Sequence, residues 1–248
     1  MDRKPSDGPT SGSPSAAPST GGAAAWVNAA VAVCAKDIRA EARTRYALGS
    51  VALFAITTLV MISASLSAAA IKADTKAAMY WVVVTFAALS GLARSFVREE
   101  EMGTAHGLRL GPPATAVYAG KLLFNAVLVL AVEVVSTPLF LVLLPVKVAA
   151  PGLFAGILLL GAVAIAAATT FVAAMIAQTA QGRSALFTVV AFPVLLPLQL
   201  LCVQATIGAF SGLHTQMLRS SADLWIIGGY ALVMTIASVL LFEFVWHE

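Results

Sequence analysis

The amino-acid sequence predicts an all-α integral membrane protein of six transmembrane helices preceded by an amphipathic helix at the membrane interface. Three observations predict it. Of 248 residues, 60% are strongly apolar and 11% charged, against roughly 45–50% and about 25% in an ordinary soluble domain. One globular core of this size cannot enclose so much apolar surface, so a bilayer must act as part of the solvent. The apolar residues are also gathered into long blocks nearly free of charge, and the charges fall in short connections between them.

The elements follow in order. Residues 1–25 are rich in Pro, Ser and Gly (PSDGPTSGSPSAAPSTGG from Pro5 to Gly22); they have little to bury and are expected to be a disordered tail on the cytoplasmic side. A cleaved signal is a poor reading, because no apolar core follows the basic start closely. From residue 26 to 248 the chain reads as one transmembrane domain. Val27, Val31, Cys34, Ile38 and Ala42 recur at helical spacing while Lys36, Arg39 and Arg43 share the opposite face. That pattern is an amphipathic helix whose basic side suits anionic headgroups. Six blocks follow at about 46–71, 77–93, 122–144, 152–177, 185–210 and 224–246. The first has 26 uncharged residues, ample at about 1.5 Å each to cross a hydrocarbon core of roughly 30 Å. The second has only 17, which snorkelling of Lys76 and Arg94 makes tolerable.

Charge asymmetry orients the spans. With a cytoplasmic amino terminus, the inner segments carry Arg3, Lys4, Lys36, Arg39, Arg43, Arg45, Arg94, Arg98, Arg109, Lys121 and Arg183. The outer ones hold Lys72, Lys76, Lys147 and Arg219. Eleven basic residues against four is a positive-inside bias, so both termini are expected in the cytoplasm. A net charge of +3 is too small to point to nucleic acid.

The longest inner connection, 94–121, reads RSFVREEEMGTAHGLRLGPPATAVYAGK. Its acidic run could open a short helix from about Val97 to Leu110, favourably placed at the positive end of the helix dipole; Pro112 and Pro113 would stop it. Such an element suits docking of a soluble partner. A solvated linker reads equally well.

Few ionisable residues fall at membrane depth. Glu133 lies half way along the third block, where an unpaired carboxylate costs several kcal/mol and should protonate or face the bundle interior. It is the candidate intramembrane polar site, with a purely structural hydrogen bond as the competing reading. Glu243 lies near the cytoplasmic end, and Gln178, Gln181, Gln199 and Gln204 could bond between helices. Pro138, Pro193 and Pro197 predict kinks, and the last two a broken or re-entrant fifth span. Gly152, Gly156 and Gly161 permit close helix approach, within one subunit or across a dimer seam.

Catalytic signatures are missing. There is no phosphate-binding loop, nucleophile elbow, H-E-x-x-H or haem-attachment motif in the sequence. Cys34 and Cys202 sit in apolar stretches, and three histidines show no metal spacing. Uphill transport would draw its energy from another polypeptide or an ion gradient, which turns attention to the inner connection as the place of coupling.

Three stretches carry a resemblance: KDIRAEARTRYAL, RSFVREEEMGTAHGLRLGPPATAVYAGKLLFN and QTAQGRSALFTVVAFPVLLPLQL. They resemble the cytochrome c maturation protein B family, also called haem exporter protein B, over about Ala30 to Val245. The resemblance implies an ABC-2-like exporter permease with an elbow helix before Tyr46, without catalytic residues or a stably held cofactor or metal. ATP would be bound by a separate ATP-binding subunit (A) docking on Arg98, Glu99, Glu100, Glu101, Gly103, His106, Leu108 and Leu110. Further implied partners are a haem-handling membrane subunit (C), a small single-span subunit (D) and, indirectly, the periplasmic haem chaperone (E), with the permease itself a homodimer in the bacterial inner membrane. Haem would be a transported or transiently contacted ligand. His106 and Gly107 depart from the acidic and bulkier residues common in relatives. Trp81, Phe86, Tyr118 and Phe124 offer apolar surface but the spans hold hardly any basic residue, so haem contact is expected at an interface or on a partner. The alternatives are a permease for another amphipathic solute such as a lipid or drug, and a membrane assembly scaffold that transports nothing.

Overall fold

Helix is the one regular structure that a single open chain can carry through hydrocarbon without orphaning backbone groups. The computed structural model describes residues 22–44, 46–65, 71–101, 113–176 and 183–246, and these hold seven helices: α1 (Gly22–Thr44), α2 (Tyr46–Ser65), α3 (Ala73–Glu101), α4 (Ala114–Leu143), α5 (Pro151–Ile176), α6 (Arg183–Ser211) and α7 (His214–Trp246). Five contain stretches long and apolar enough to cross a membrane: Ala73–Leu92, Thr115–Leu143, Pro151–Ile176, Leu186–Ser211 and His214–Leu241. In α2 the described side chains, Gly49–Ser65, are apolar as well. The remainder of the first expected span, residues 66–70, lies outside the described residues, as do residues 1–21 of the expected tail.

The helices alternate in direction, and the bonds at one end show it. Ser63 Oγ at the end of α2 donates to Leu143 O at 3.1 Å, and Lys76 Nζ at the start of α3 donates to Pro145 O at 2.9 Å. Both close carbonyls at the carboxyl end of α4. The backbone N–H groups of Ala149 and Ala150, entering α5, both donate to Ala209 O near the end of α6. The α6–α7 turn is tight: Gly212 adopts φ +70°, a conformation open to glycine at no steric cost.

α5 is the axis of the bundle. Its alanines and glycines let α4, α6 and α7 pack around it, and 72% of its apolar window is buried, against 17% for α7. Gly161 shows why small residues are needed, since a Cβ there would stand 2.5 Å from Cη2 of Trp81 and 3.5 Å from Cys202 Sγ. Trp81, 1% exposed, is the largest of the fully buried side chains. Of the other glycines in that helix, Gly156 faces Leu224 of α7 at 3.8 Å and Gly152 meets nothing within 4 Å.

Three expectations are corrected. The separate helix from Val97 to Leu110 is not observed as far as Glu101, because α3 runs through the acidic run as one 29-residue helix. Glutamate is a good helix former, and the first glycine of the connection is Gly103. The acidic residues therefore continue the helix begun at Ala73 instead of opening a new one. The fifth expected span is neither broken nor re-entrant: α6 continues through Pro193 and Pro197, which both face outward, and between them Val194 O accepts the Tyr230 hydroxyl at 2.6 Å. The predicted apolar face of α1 is also divided. Cys34 is buried together with Ala30, Val33 and Glu41, while Val27, Val31 and Ile38 are exposed.

Candidate functional site

Two regions concentrate polar chemistry, one at the end of α3 and one at the centre of the bundle. The first grows from helix length. At about 1.5 Å per residue, the eight residues of α3 beyond the uncharged block that ends at Ala93 extend the helix by about 12 Å. Arg98, Glu99, Glu100 and Glu101 lie on that extension. Side chains from position 93 onward, and all of Gly103, His106, Leu108 and Leu110, lie outside the described residues.

At the same end, α1 packs along the first turns of α4. Trp26 Nε1 donates to Thr115 Oγ1 at 3.0 Å, and a Cβ on Gly120 would lie 2.6 Å from Ala30 O and 2.7 Å from Val33. Gly120 thus lets the two backbones approach. Around α1, the buried stripe (Ala30, Val33, Cys34), the exposed apolar stripe (Val27, Val31, Ile38) and the basic residues Lys36, Arg39 and Arg43 occupy successive faces at 3.6 residues per turn. Lys36 pairs with Asp37 at 3.1 Å. Burial pushes the Cys34 thiol above its ordinary range, and the Asp37 charge adds to it.

The second region is built from polar residues on apolar helices. Asn125 of α4 donates to Thr170 Oγ1 of α5 at 2.8 Å, and Thr170 passes its proton to Ala166 O. Trp81 Nε1 donates to Thr206 Oγ1 at 2.9 Å, and Thr206 to Cys202 O. Tyr80 and Thr137 share a hydrogen bond of 2.7 Å. The first two chains end on a helix carbonyl and close on themselves, as buried polar groups must. Tyr80 also belongs to an aromatic cluster with Phe140 (5.0 Å between centroids) and Phe154, which packs on Phe210 at 5.3 Å. These linkages escaped the sequence reading. Their signal was a lone Asn and several threonines inside otherwise apolar helices.

Glu133 breaks the pattern. It is 3% exposed and faces the interior, the second of the two outcomes expected for a carboxyl at that depth, and neither oxygen has a hydrogen-bond partner. Ser136, one turn further on the same helix, is fully buried with its hydroxyl unpartnered, and the Gln199 amide on α6 also makes no bond. Gln204 is exposed; Gln178 and Gln181 and the side chain of Glu243 lie outside the described residues.

Of the aromatic residues, Trp81, Tyr118 and Phe124 are buried in packing and Phe86 is exposed, its ring 5.3 Å from Phe192. An apolar groove of about 260 Å³ opens between α2 and α3, lined by Phe54, Thr58, Ile62, Met79, Val82 and Phe86 among others. Thr58 turns its hydroxyl back to Phe54 O, so the groove offers little polar contact. Among the described residues no group of three His, Cys, Asp or Glu could hold a metal.

No curated protein and no solved structure matches the chain. A family model described as CcmB protein matches residues 28–246.

Proposed function

Because the chain belongs to the CcmB family, haem-handling membrane permeases of cytochrome c maturation without catalytic activity of their own, we propose that it is the permease subunit of an ATP-driven complex that supports haem export or release of the haem-loaded chaperone on the periplasmic side. In this reading Gly49–Ser65 is a sixth crossing, which returns both termini to one side. The basic residues clustered on that side mark it as the cytoplasm of a bacterial inner-membrane protein. α1 is the elbow helix, with Val27, Val31 and Ile38 toward hydrocarbon and Lys36, Arg39 and Arg43 toward headgroups.

One observation carries the proposal: α3 continues past its uncharged block as one helix and carries three acidic residues on that extension. Acidic residues so placed gain from a cationic surface, and the helix would pass a push on them directly into the bundle around Trp81. The separate ATP-binding subunit would supply that surface and the hydrolysis. The connection that follows, through Gly103, His106, Leu108 and Leu110, would complete the contact. Two copies of the permease would pair within the complex, joined by subunits C and D and serving chaperone E, and haem would meet this chain only transiently or at an interface, since the spans offer hardly any basic residue for its propionates.

Purification of the tagged chain from native membranes tests this. The ATP-binding subunit should co-purify and should be lost when Glu99, Glu100 and Glu101 are all changed to Lys, with the bundle still folded by thermal unfolding. Retention of the ATPase by that variant would refute the docking assignment.

A further inference from the structure

Most buried polar side chains in the bundle close a hydrogen bond within it; Glu133, with Ser136 beside it, does not. Both carboxyl oxygens and the Ser136 hydroxyl are buried and unpartnered on one face of α4, and three buried donors of α3 and α6 are committed elsewhere. The Tyr80 hydroxyl is shared with Thr137, Trp81 Nε1 goes to Thr206, and Thr206 goes to Cys202 O. The titratable groups within electrostatic reach of the carboxyl, among the described residues, are Tyr80 of α3 and Cys202 of α6. α5 carries no titratable residue, the described side chains of α2 include none, and Tyr230 of α7 is held by Val194 O. No cation compensates the carboxyl: Lys76 is bound to Pro145 O at the far end of α3, and Lys121 lies twelve residues before Glu133 on α4, about 18 Å along the helix.

A carboxyl so placed has neither donors nor a counter-charge for an ionised form, and unsatisfied buried polar groups in native proteins mark an unfilled role. We propose that Glu133 is a proton-binding site at the centre of the bundle, holding its proton in the packed arrangement and exchanging it through water that reaches Glu133 and Ser136 together. Losing the proton leaves a charge in the same core as Cys202, Trp81 and Gly161, where the indole sits so close to the α5 backbone that not even a methyl group fits at Gly161. Hydrating that charge requires the helices to part. Proton occupancy and opening of the bundle are then linked, each biasing the other. The assignment stands independently of what the complex carries.

Two measurements on the full-length protein in liposomes test it. Infrared spectra should show a protonated-carboxyl stretch that is absent from Glu133→Gln, shifts in D₂O, and gives way to a carboxylate band as pH rises. Dicyclohexylcarbodiimide, which is membrane-soluble, adds a protonated carboxyl across its C=N bond and rearranges to a stable N-acylurea with nothing expelled. Mapping that adduct by mass spectrometry needs no variant to fold. Labelling at Glu133 should fall about tenfold per pH unit once the proton is lost, and a water-soluble carbodiimide should leave the residue unmodified. An adduct yield independent of pH, no adduct at any pH, or a carboxylate band for Glu133 across the whole range would each overturn the proposal.

Discussion

α5 and α7 are nearly equal in hydropathy, 2.4 and 2.1, yet 72% of one apolar window is buried and 17% of the other. Apolarity decides that a helix enters the membrane and says nothing about where it stands there, because lipid tails are as apolar as leucine. What separates the two helices is side-chain size. α5 buries alanine at 162, 164, 166, 167, 168, 173 and 174 along with Gly161, whereas α7 exposes Trp225, Ile226, Leu232, Val233, Ile236 and Leu240. Small residues admit neighbours and large ones fill the gap with themselves.

That contrast can be broken most severely from the partner side. Trp81→Ala removes the ring that Gly161 admits and should cost about 3 kcal/mol, near the low end for a buried aromatic because the lost ring forfeits packing without leaving water. Thermal unfolding in detergent would measure it. Gly161→Ala should cost about 1–3 kcal/mol by overpacking, since Trp81 is pinned by Thr206 and has nowhere to move. If that variant were as stable as the parent, small-residue packing would not be what centres α5. Leu232→Ala on the exposed face of α7 should change stability by less than about 0.5 kcal/mol, and a larger loss would mean that this face is covered, as a dimer seam would cover it.

The smallest effect sharpens the description of α1, the most amphipathic of the described helices. The Cys34 thiol is raised by burial and by Asp37, so its thiolate fraction at neutral pH lies below that of a free cysteine and alkylation should be slow, quickening as pH climbs. Asp37→Asn removes the smaller of the two causes and should raise the maleimide rate modestly.

How much of this was legible in the sequence follows from the same contrast. Block lengths identified the helices but not how far they run past the charges that flank each block: Lys76 sits inside α3, bonded to Pro145 O, and Lys121 sits inside α4. The acidic run was read as opening a separate helix, and only the backbone shows that it continues the one begun at Ala73. Facing was less legible still. Val27, Val31 and Cys34 share one stripe by spacing, but the packing of α1 against Gly120 buries only the last. Glu133 was visible as a lone carboxylate in an apolar block; that Tyr80, Trp81 and Thr206 would be committed elsewhere depends on α3, α4 and α6 meeting and could not be read from one.

The account rests on a helical bundle that holds the connection between α3 and α4 on the cytoplasmic side, where an ATPase can reach it. Single cysteines at His106 and at Lys147, placed in a chain whose own cysteines are replaced by alanine, can be challenged in intact cells with a membrane-impermeant maleimide. The account predicts that the Lys147 position labels from outside and the His106 position labels only after the membrane is opened. Labelling of the His106 position in sealed cells would contradict it.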